Sequence, residues 1–252
     1  MKIARFIYNK KICYGMVENR SASLIDGSIF DKFKITKKKI DISKITLLPP
    51  VNPGKVICVG LNYKDHAKEL NMPIPDEAII FIKPPTSITG HNQKITYPEC
   101  VKRLDYEAEL AVIIKKEAKN IDKEDAKDYI LGYTCLNDVT ARDIQKKDIQ
   151  WTRAKSFDTF CPIGPFIVTD IKPDNLSIKL YLNGKIKQSS TTANLIFKID
   201  KLVSFISNVM TLKPGDVIAT GTPPGVGPMN INDKVEVKIE KIGTLANTVA
   251  SI

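Results

Sequence analysis

The segment RLDYEAELAVIIKK places three carboxylates, Asp105, Glu107 and Glu109, at alternate positions just before an apolar run. Alternate side chains of a β-strand point to the same face, so Glu107 and Glu109 would lie roughly 7 Å apart at Cα. Burial and mutual repulsion penalise two such ionised groups, and a divalent cation would remove both penalties. Carboxylate oxygens suit Mg²⁺, Mn²⁺ or Ca²⁺. The alternative is an ordinary solvent-facing strand, which needs no cation.

The segment LNDVTARD offers a third carboxylate for such a site. Asp138 follows the apolar residues YTCLN, where a core strand is expected to end. It could equally form an Asx turn or cap a helix, which is common for aspartate. Arg142 and Gln145 follow within about one helical turn; Arg suits bidentate binding of a carboxylate, and Gln can donate to a developing oxyanion. Arg142 could instead form a structural pair with Asp143 or Asp138.

The segment NYKDHAKEL is predicted to be a helix with Asn62 as its N-cap. It places His66 and Glu69 on one helical face. A carboxylate beside an imidazole fixes its tautomer and raises its basicity, which suits a general base that takes a proton from water. The alternative is an exposed His–Glu pair on a polar helix. The other histidine, His91, lies in a Gly/Asn loop and is expected to be exposed.

The composition limits the classes of protein to which the chain can belong. Its 252 residues are 43% hydrophobic and 26% charged, as is typical of a globular protein with a substantial core. The net charge of +10 comes mostly from scattered lysines, and no nucleic-acid-binding motif occurs, so nucleic-acid binding is not expected. The five cysteines form no CxxC pair, and no apolar run approaches the roughly 18 residues of a membrane span. We therefore predict a cytoplasmic protein without a membrane segment.

Short strand patterns dominate the chain and few helices separate them, so the predicted class is β-rich α+β. A Pro-rich stretch at residues 47–55 indicates a boundary between a small N-terminal β subdomain, residues 1–50, and a domain spanning 51–252. The pair Asn183-Gly184 predicts the two-residue turn of a β-hairpin. The loop GTPPGVG fits no nucleotide-binding pattern, so its glycines indicate either close backbone approach to another ligand or an ordinary turn.

Six segments follow one another in an order that resembles the fumarylacetoacetate hydrolase family: VGLNYKDHAKEL, FIKPPTS, DYEAEL, LNDVTARDIQ, AKSFDTFCPIGP and ATGTPPGVGP. The resemblance covers about four-fifths of the chain and is greatest to small members that act on acylpyruvates, oxaloacetate and related 2-oxo acids. It implies a mixed β-sandwich roll, a homodimer, and a Mg²⁺ or Mn²⁺ ion. The first fifty residues match only loosely, as an appended variable domain would.

The same resemblance implies roles for individual residues. The metal ligands would be Glu107, Glu109 and Asp138. Asp105 falls outside this set; it could support the ligands or simply be exposed, and exposure is the expectation. The other implied positions are catalytic His66, Glu69 and Lys155, the first two on a short lid helix, and substrate-binding Arg142, Gln145, Thr222 and Lys83. Thr222 would contact the substrate carboxylate. Lys155 would neutralise substrate charge beside the metal, and Lys83 is a weaker candidate for that role.

The activity implied by these assignments is cleavage of a C–C bond in a 2-oxo acid through a metal-stabilised enolate, by acylpyruvate hydrolysis or oxaloacetate decarboxylation. An isomerase, tautomerase, decarboxylase or hydratase of unsaturated 2-oxo diacids is the alternative, because the same site and enolate serve all of these. Two further alternatives are a relative that binds metal or ligand without catalysis and a basic nucleic-acid accessory protein. The intact carboxylates and His–Glu pair argue against the first of these.

Overall fold

The computed structural model describes residues 1–251, most of them in or between β-strands. The strands, numbered along the chain, are β1 Lys2–Tyr8, β2 Lys11–Glu18, β3 Ser21–Gly27, β4 Phe33–Asp41, β5 Thr46–Leu47, β6 Val56–Gly60, β7 Ile79–Lys83, β8 Ile88–Thr89, β9 Lys94–Tyr97, β10 Leu104–Tyr106, β11 Ala108–Ile114, β12 Ile130–Asn137, β13 Thr140–Ala141, β14 Cys161–Val168, β15 Ser177–Leu182, β16 Lys185–Thr191, β17 Val217–Ala219, β18 Gly227–Met229, β19 Lys234–Ile239 and β20 Gly243–Ser251. The α-helices are α1 Lys64–Glu69, α2 Arg142–Lys147, α3 Thr152–Lys155 and α4 Ile199–Val209. Short 3-10 helices lie at Ile42–Lys44, Pro85–Ser87, Lys123–Tyr129 and Thr192–Asn194.

These strands form one large mixed sheet and two smaller sheets. The large sheet has the order β4-β3-β2-β1-β14-β12-β11-β17-β6-β7, with β5 and β8 attached to β1 and β14. A five-stranded sheet runs β16-β15-β19-β20-β9, and a three-stranded sheet runs β13-β10-β18. Most pairs are antiparallel, but β17 with β6, β20 with β9 and β14 with β8 are parallel. The predicted β-rich α+β class with mixed sheets is confirmed.

Strand β11 lies at the centre of the fold with both faces covered. Leu110 and Val112 belong to a core that also contains residues of the five-stranded sheet. Ala111 and Ile113 belong to a second core on the opposite face of the strand. A strand covered on both faces is apolar at nearly every position, which explains the run LAVII in the sequence. Because side chains alternate, Glu109 continues the face that carries Ala111 and Ile113 and lies at the edge of the second core.

The N-terminal strands extend the large sheet. β1 pairs with β14 through Lys2 with Val168 and Ile3 with Ile167, and β2, β3 and β4 follow β1 outward to the sheet edge. The predicted subdomain of residues 1–50 is thus joined to the remainder of the chain by backbone hydrogen bonds. Its standing as a separate domain stays a prediction.

Two predicted elements differ from the structure. The segment DYEAELAVII is two strands, β10 and β11, because the chain leaves one sheet and enters another at Glu107. Helix α1 has Tyr63, not Asn62, at its N-cap position. The Asn62 side chain is buried instead and bonds to the backbone of Phe197 and Thr220, so it ties the chain before α1 to two distant segments.

The predicted hairpin turn is present between β15 and β16. Asn183 and Gly184 both have positive φ, 50° and 76°, as a type I′ turn requires. Within residues 1–251, no helix combines the length and apolar character needed to cross a bilayer.

Candidate active site

Three carboxylates meet at the edge of the second core. Glu107 lies between β10 and β11, Glu109 lies in β11, and Asp138 follows β12. All three side chains are buried, and one oxygen from each lies within 4.8 Å of the others. Ala108 pairs with Asn137 across β11 and β12, so the sheet register itself brings the glutamates beside Asp138. We call Glu107, Glu109 and Asp138 the acidic cluster.

Side-chain amides hold the backbone where the strand is interrupted. The N–H of Glu107 donates to Asn137 Oδ1 at 2.9 Å, and the N–H of Ala108 donates to Gln188 Oε1 at 2.9 Å. The Asp138 N–H donates to the Glu107 carbonyl at 2.8 Å. These bonds satisfy backbone groups that the broken strand pairing would leave buried without partners. They also fix the two glutamates relative to Asp138.

Two lysines are buried against the acidic cluster. Lys155 Nζ lies 2.9 Å from Glu107 Oε2 and 2.7 Å from Asp138 Oδ2. Lys83 Nζ donates to Asp138 Oδ1 and to the Val139 carbonyl. Burial alone would lower the pKa of Lys155, but Asp138 and Glu107 outweigh it and raise this pKa above its ordinary value, so Lys155 stays protonated. Lys83 contacts the acidic cluster through Asp138. The sequence predicts it as a weaker candidate than Lys155 for neutralising the charge of the substrate.

Arg142 connects the acidic cluster to a fourth carboxylate. Its guanidinium donates to Glu107 Oε1 at 2.5 Å, to Asp105 Oδ2 at 2.9 Å and to Gln145 Oε1 at 2.5 Å. The expectation that Asp105 is exposed is wrong: its side chain is fully buried and also accepts two bonds from Arg103. Two guanidinium groups compensate the buried charge, and Asp105 in turn orients Arg142. Arg142 forms neither of the alternative pairs, with Asp143 or Asp138.

The two glutamates of the acidic cluster have opposite pKa shifts. Burial alone would raise the pKa of Glu107, but Lys155 and Arg142 outweigh it and lower the pKa to about 2. Burial, followed by the charges of Asp138 and Glu107, raises the pKa of Glu109 well above its ordinary value. Among the described residues Glu109 has no salt-bridge partner, and its Oε2 accepts only the Gly221 N–H at 2.8 Å. Negative charge is therefore least compensated at Glu109.

The residues of the acidic cluster fit a divalent metal ion. They supply three hard oxygen donors, buried and close together, and carboxylates of this kind are ligands for Mg²⁺ and Mn²⁺. A divalent cation would also supply the positive charge that Glu109 lacks. The donor set contains no sulfur or imidazole, which disfavours the softer metals.

The His66–Glu69 pair lies on α1. His66 Nδ1 lies 2.8 Å from Glu69 Oε2, and the Glu69 carboxylate also accepts the Gly225 N–H at 3.1 Å. The alternative of an exposed pair holds for Glu69, whose side chain is 42% exposed, but not for His66, which is buried with 8% exposed. A carboxylate at Nδ1 makes that nitrogen the protonated one and leaves Nε2 as the basic nitrogen.

The Gly-rich loop joins the acidic cluster to α1. Gly221 bonds to Glu109 and Gly225 bonds to Glu69, while Thr222 between them is buried beside Gln188. Both glycines have positive φ, 95° and 92°. A Cβ on Gly225 would also lie 2.3 Å from the Lys187 carbonyl. Only glycine permits this backbone and this approach to β16.

A cavity of about 370 Å³ opens beside these groups. Its polar wall is formed by five predicted site residues, His66, Glu107, Arg142, Gln145 and Lys155, together with Lys146, which was not predicted. Glu69, Asp138 and Lys83 adjoin this wall through hydrogen bonds to His66, Lys155 and Asp138 respectively. Glu109 adjoins it as a member of the acidic cluster. Thr222 lies outside the cavity lining and is connected to the cluster through Gln188, which also accepts the Ala108 N–H. The structure therefore brings all ten predicted site residues into one connected region.

The apolar wall of the cavity was not predicted from the sequence. Trp151 packs edge-on against Phe81 with ring centroids 5.3 Å apart, and Lys155 Nζ lies 5.2 Å from the Phe81 ring centroid. A Cβ on Gly60 would lie 2.9 Å from the Trp151 ring, so the glycine allows the indole to approach the end of β6. Apolar walls lower the local dielectric and strengthen the charge interactions beside them.

Four further polar residues are informative. Gln188 and Asn137 were not predicted, and no local pattern distinguishes them from exposed amides. Asp105 was dismissed, although its alternation with the two glutamates placed it on their face. His91 is wrongly expected to be exposed: it is half-buried, and its Nδ1 accepts the Ala246 N–H at 3.1 Å.

Comparison with known proteins identifies the family. Residues 55–250 match the family described as fumarylacetoacetate (FAA) hydrolase C-terminal. The chain belongs to the fumarylacetoacetate hydrolase family. Residues 1–50 match a second family, described as Rv2993c-like, N-terminal. The resemblance inferred from the six sequence segments is therefore confirmed.

Relatives within this family are enzymes with several activities. The oxaloacetate tautomerase fahd2, mitochondrial, of Xenopus laevis is 46% identical over 220 residues, which cover 82% of this chain and 69% of the relative. The crystal structure of 2-hydroxyhepta-2,4-diene-1,7-dioate isomerase from Mycobacterium marinum is 40% identical, with a TM-score of 0.94 over 100% of this chain and 98% of that one. Maleylpyruvate hydrolase from Sphingobium sp. SYK-6, in complex with manganese(II) and pyruvate, is 29% identical, with a TM-score of 0.84 over 100% and 99%.

Proposed function

We propose that this chain is a Mg²⁺- or Mn²⁺-dependent enzyme that forms the enolate of a small 2-oxo acid, with a diacid as the favoured substrate. One observation carries the proposal: the acidic cluster, its cationic neighbours and the His66–Glu69 pair adjoin a single cavity. Glu107, Glu109 and Asp138 would hold the metal ion. When bound, the ion supplies Lewis-acid stabilisation of negative charge on the carbonyl oxygen of the substrate.

The charges around the cavity favour a dianionic substrate. The acidic cluster and Asp105 supply four carboxylates, and Lys83, Lys155, Arg142 and Arg103 supply four cationic groups in salt bridges with them. The protein groups thus balance one another when all are ionised. A divalent cation adds two positive charges to this balanced set, which a dicarboxylate would neutralise, and Lys146 on the cavity wall adds to the attraction for an anion. Relatives named for oxaloacetate and for a heptadiene dioate are consistent with this substrate class.

The residues of the chain divide the chemical work between binding and proton transfer. Arg142 and Lys155 provide cationic donors on the polar wall of the cavity for substrate oxygens, and Gln145, whose carbonyl oxygen accepts from Arg142, retains its amide N–H groups as donors. Thr222 would bind the substrate carboxylate. His66, with Glu69 on its Nδ1, can take a proton at Nε2, either from C3 of the substrate or from water.

Proton transfer at C3 is the first candidate reaction. Removal of a C3 proton and protonation of the C2 oxygen convert a 2-oxo acid to its enol, and His66 could carry that proton. The tautomerase at 46% identity and the isomerase at 40% support this candidate, because both names describe a rearrangement without loss of a fragment. Tautomerisation or isomerisation, the alternative activity in the sequence analysis, is therefore the first candidate.

C–C bond cleavage is the second candidate. The hydrolase relative that holds manganese(II) and pyruvate supports it. In acylpyruvate hydrolysis, His66 takes a proton from water, the hydroxyl adds to C4, and the C3–C4 bond breaks to release a carboxylic acid and the enolate of pyruvate. In oxaloacetate decarboxylation, the same bond breaks with loss of CO₂.

One assay separates the two candidates. Purified protein with Mg²⁺ or Mn²⁺ is given oxaloacetate or an acylpyruvate, while the enol absorbance and the release of pyruvate are both followed. Enol interconversion without pyruvate supports the tautomerase, and pyruvate release supports cleavage. Activity that persists in EDTA and in the Glu107→Ala variant contradicts the metal-dependent proposal. Preference for Mg²⁺ or Mn²⁺, the homodimer and the cytoplasmic location stay predictions.

A further inference from the structure

Gln188 bridges the two sheets directly behind the acidic cluster. It lies on β16 of the five-stranded sheet, is 1% exposed, and reaches Ala108 at the start of β11 in the large sheet. Its amide group makes three hydrogen bonds: Oε1 accepts the Ala108 N–H at 2.9 Å, and Nε2 donates to the Pro223 carbonyl at 2.7 Å and to Thr222 Oγ1 at 2.9 Å.

The orientation of this amide is determined by its partners. The Ala108 N–H can only donate, so the atom facing it must be the oxygen of Gln188. The Pro223 carbonyl can only accept, so the atom facing it must be the nitrogen. The remaining N–H then points at Thr222 Oγ1, which must act as the acceptor in that bond.

The direction of that bond decides what the Thr222 hydroxyl can do. A hydroxyl has one proton, and Thr222 does not use it toward Gln188, because both Gln188 N–H groups are themselves donors. In residues 1–251 no other acceptor receives it, and Thr222 keeps 7% of its surface exposed. Within the described residues, its proton is therefore left without an acceptor.

We propose that Gln188 is a positioning residue that holds the Thr222 hydroxyl as a donor toward a carboxylate oxygen of the substrate. This inference rests on the proposed function, since it concerns how the same site selects an anionic ligand. Gln188 touches neither the substrate nor the metal ion. It acts through Thr222, and with the same amide it holds the backbone between Glu107 and Glu109.

A double-mutant cycle with oxalate as the probe tests this inference. Oxalate affinity of the Mn²⁺-loaded protein is measured by calorimetry for the wild type and for Gln188→Glu, Gln188→Met, Thr222→Val and the two double variants. Gln188→Glu keeps the side-chain volume and an acceptor for the Ala108 N–H, but presents an acceptor to Thr222. The hydroxyl would then donate to the new carboxylate. Gln150→Met, on an exposed glutamine, is the matched control.

The expected result is non-additivity. Each Gln188 change weakens oxalate binding by roughly tenfold or more when Thr222 is present, because a hydrogen bond to a charged group is lost. In the Thr222→Val background, Gln188→Glu, which keeps the acceptor for the Ala108 N–H, weakens binding by less than about twofold. Equal losses in both backgrounds would show that Gln188 acts only through general structure or charge, and would overturn the inference.

Two further outcomes bear on the inference. If Gln188→Met does not fold, the test uses Gln188→Glu alone. If Thr222→Val binds oxalate as tightly as the wild type, the inference is overturned without any Gln188 variant. A wild-type protein that binds oxalate but shows no coupling removes only this inference. A wild-type protein that binds neither Mn²⁺ nor oxalate removes the proposed function as well.

Discussion

The acidic cluster and helix α1 adjoin the same cavity but are held in very different ways. Within the acidic cluster, the single residue Glu107 accepts hydrogen bonds from Lys155, Arg142 and Thr140. Helix α1 has only six residues and no side-chain cap, and its Glu69 side chain is 42% exposed. Buried charged contacts hold the acidic cluster, whereas α1 is held by partly exposed hydrogen bonds such as that from the Gly225 N–H to Glu69. We therefore expect the region that would hold the metal to be the more rigid and the region that would move protons to be the less stable locally.

The largest expected effect comes from the acidic cluster. Glu109→Gln keeps the size of the side chain but removes its charge, so Mn²⁺ affinity should fall by at least about 100-fold and turnover should be lost. Calorimetric titration with Mn²⁺ measures the first and the enol assay the second. Glu117→Gln, at an exposed position just beyond β11, is the matched control. Unchanged Mn²⁺ affinity in Glu109→Gln would remove Glu109 from the metal site.

The next largest effect separates the two regions directly. His66→Gln removes the proposed base but leaves the acidic cluster intact, so kcat should fall by about 10²- to 10⁴-fold. Mn²⁺ affinity should change by less than about twofold, since independent sites show little coupling. The control is His91→Gln, the other histidine. A large loss of Mn²⁺ affinity in His66→Gln would mean that α1 and the acidic cluster are one unit.

A pH dependence is expected of the acidic cluster. The raised pKa of Glu109 keeps it protonated above the ordinary carboxyl value of 4.5 in the metal-free protein. A metal ligand must be deprotonated, so binding displaces this proton, and the apparent Mn²⁺ dissociation constant should fall up to about tenfold per unit of rising pH in that range. Calorimetric titrations with Mn²⁺ in buffers of different ionisation enthalpy measure how many protons are released on binding. No proton release above pH 4.5 would contradict the shift.

The same two shifts act oppositely on the stability of the metal-free protein. The lowered pKa of Glu107 contributes stability that is present above its ordinary value of 4.5 and is lost as pH falls toward about 2. The raised pKa of Glu109 contributes stability that is present below 4.5 and is lost as pH rises through the raised value. Metal binding should therefore raise the thermal midpoint more at neutral pH than at pH 5.

The smallest expected effect comes from Asp105, which orients the guanidinium of Arg142. Asp105→Asn keeps a hydrogen-bond acceptor but removes the charge that orients this guanidinium, so the dissociation constant of oxalate should rise by about three- to tenfold. Mn²⁺ affinity should stay within about twofold, because Asp105 is not in the acidic cluster. Asp128→Asn, at an exposed position, is the control. Equal losses of oxalate and Mn²⁺ affinity would place Asp105 in the metal region itself.

The sequence by itself determined the fold class, the family and the chemical types of the candidate site residues. The family followed from the resemblance of six ordered segments. Period-two alternation is local information: it placed Glu107 and Glu109 on one face, and it contained the signal for Asp105 as well. Asn183-Gly184 determined a hairpin turn for the same reason, since a type I′ turn depends on two adjacent residues.

Only the tertiary structure decided which groups compensate these charges. Lys83 lies 55 residues from Asp138, Arg142 lies 35 residues from Glu107, and Gln188 lies 80 residues from Ala108. Strands distant along the chain become neighbours in the sheets, so such contacts leave no periodic trace in the sequence. The break at Glu107 shows the same limit, because the chain changes sheets there while its alternation of side chains continues. Local pattern and family resemblance therefore predicted the candidate metal ligands, and sheet topology decided which groups lie beside them.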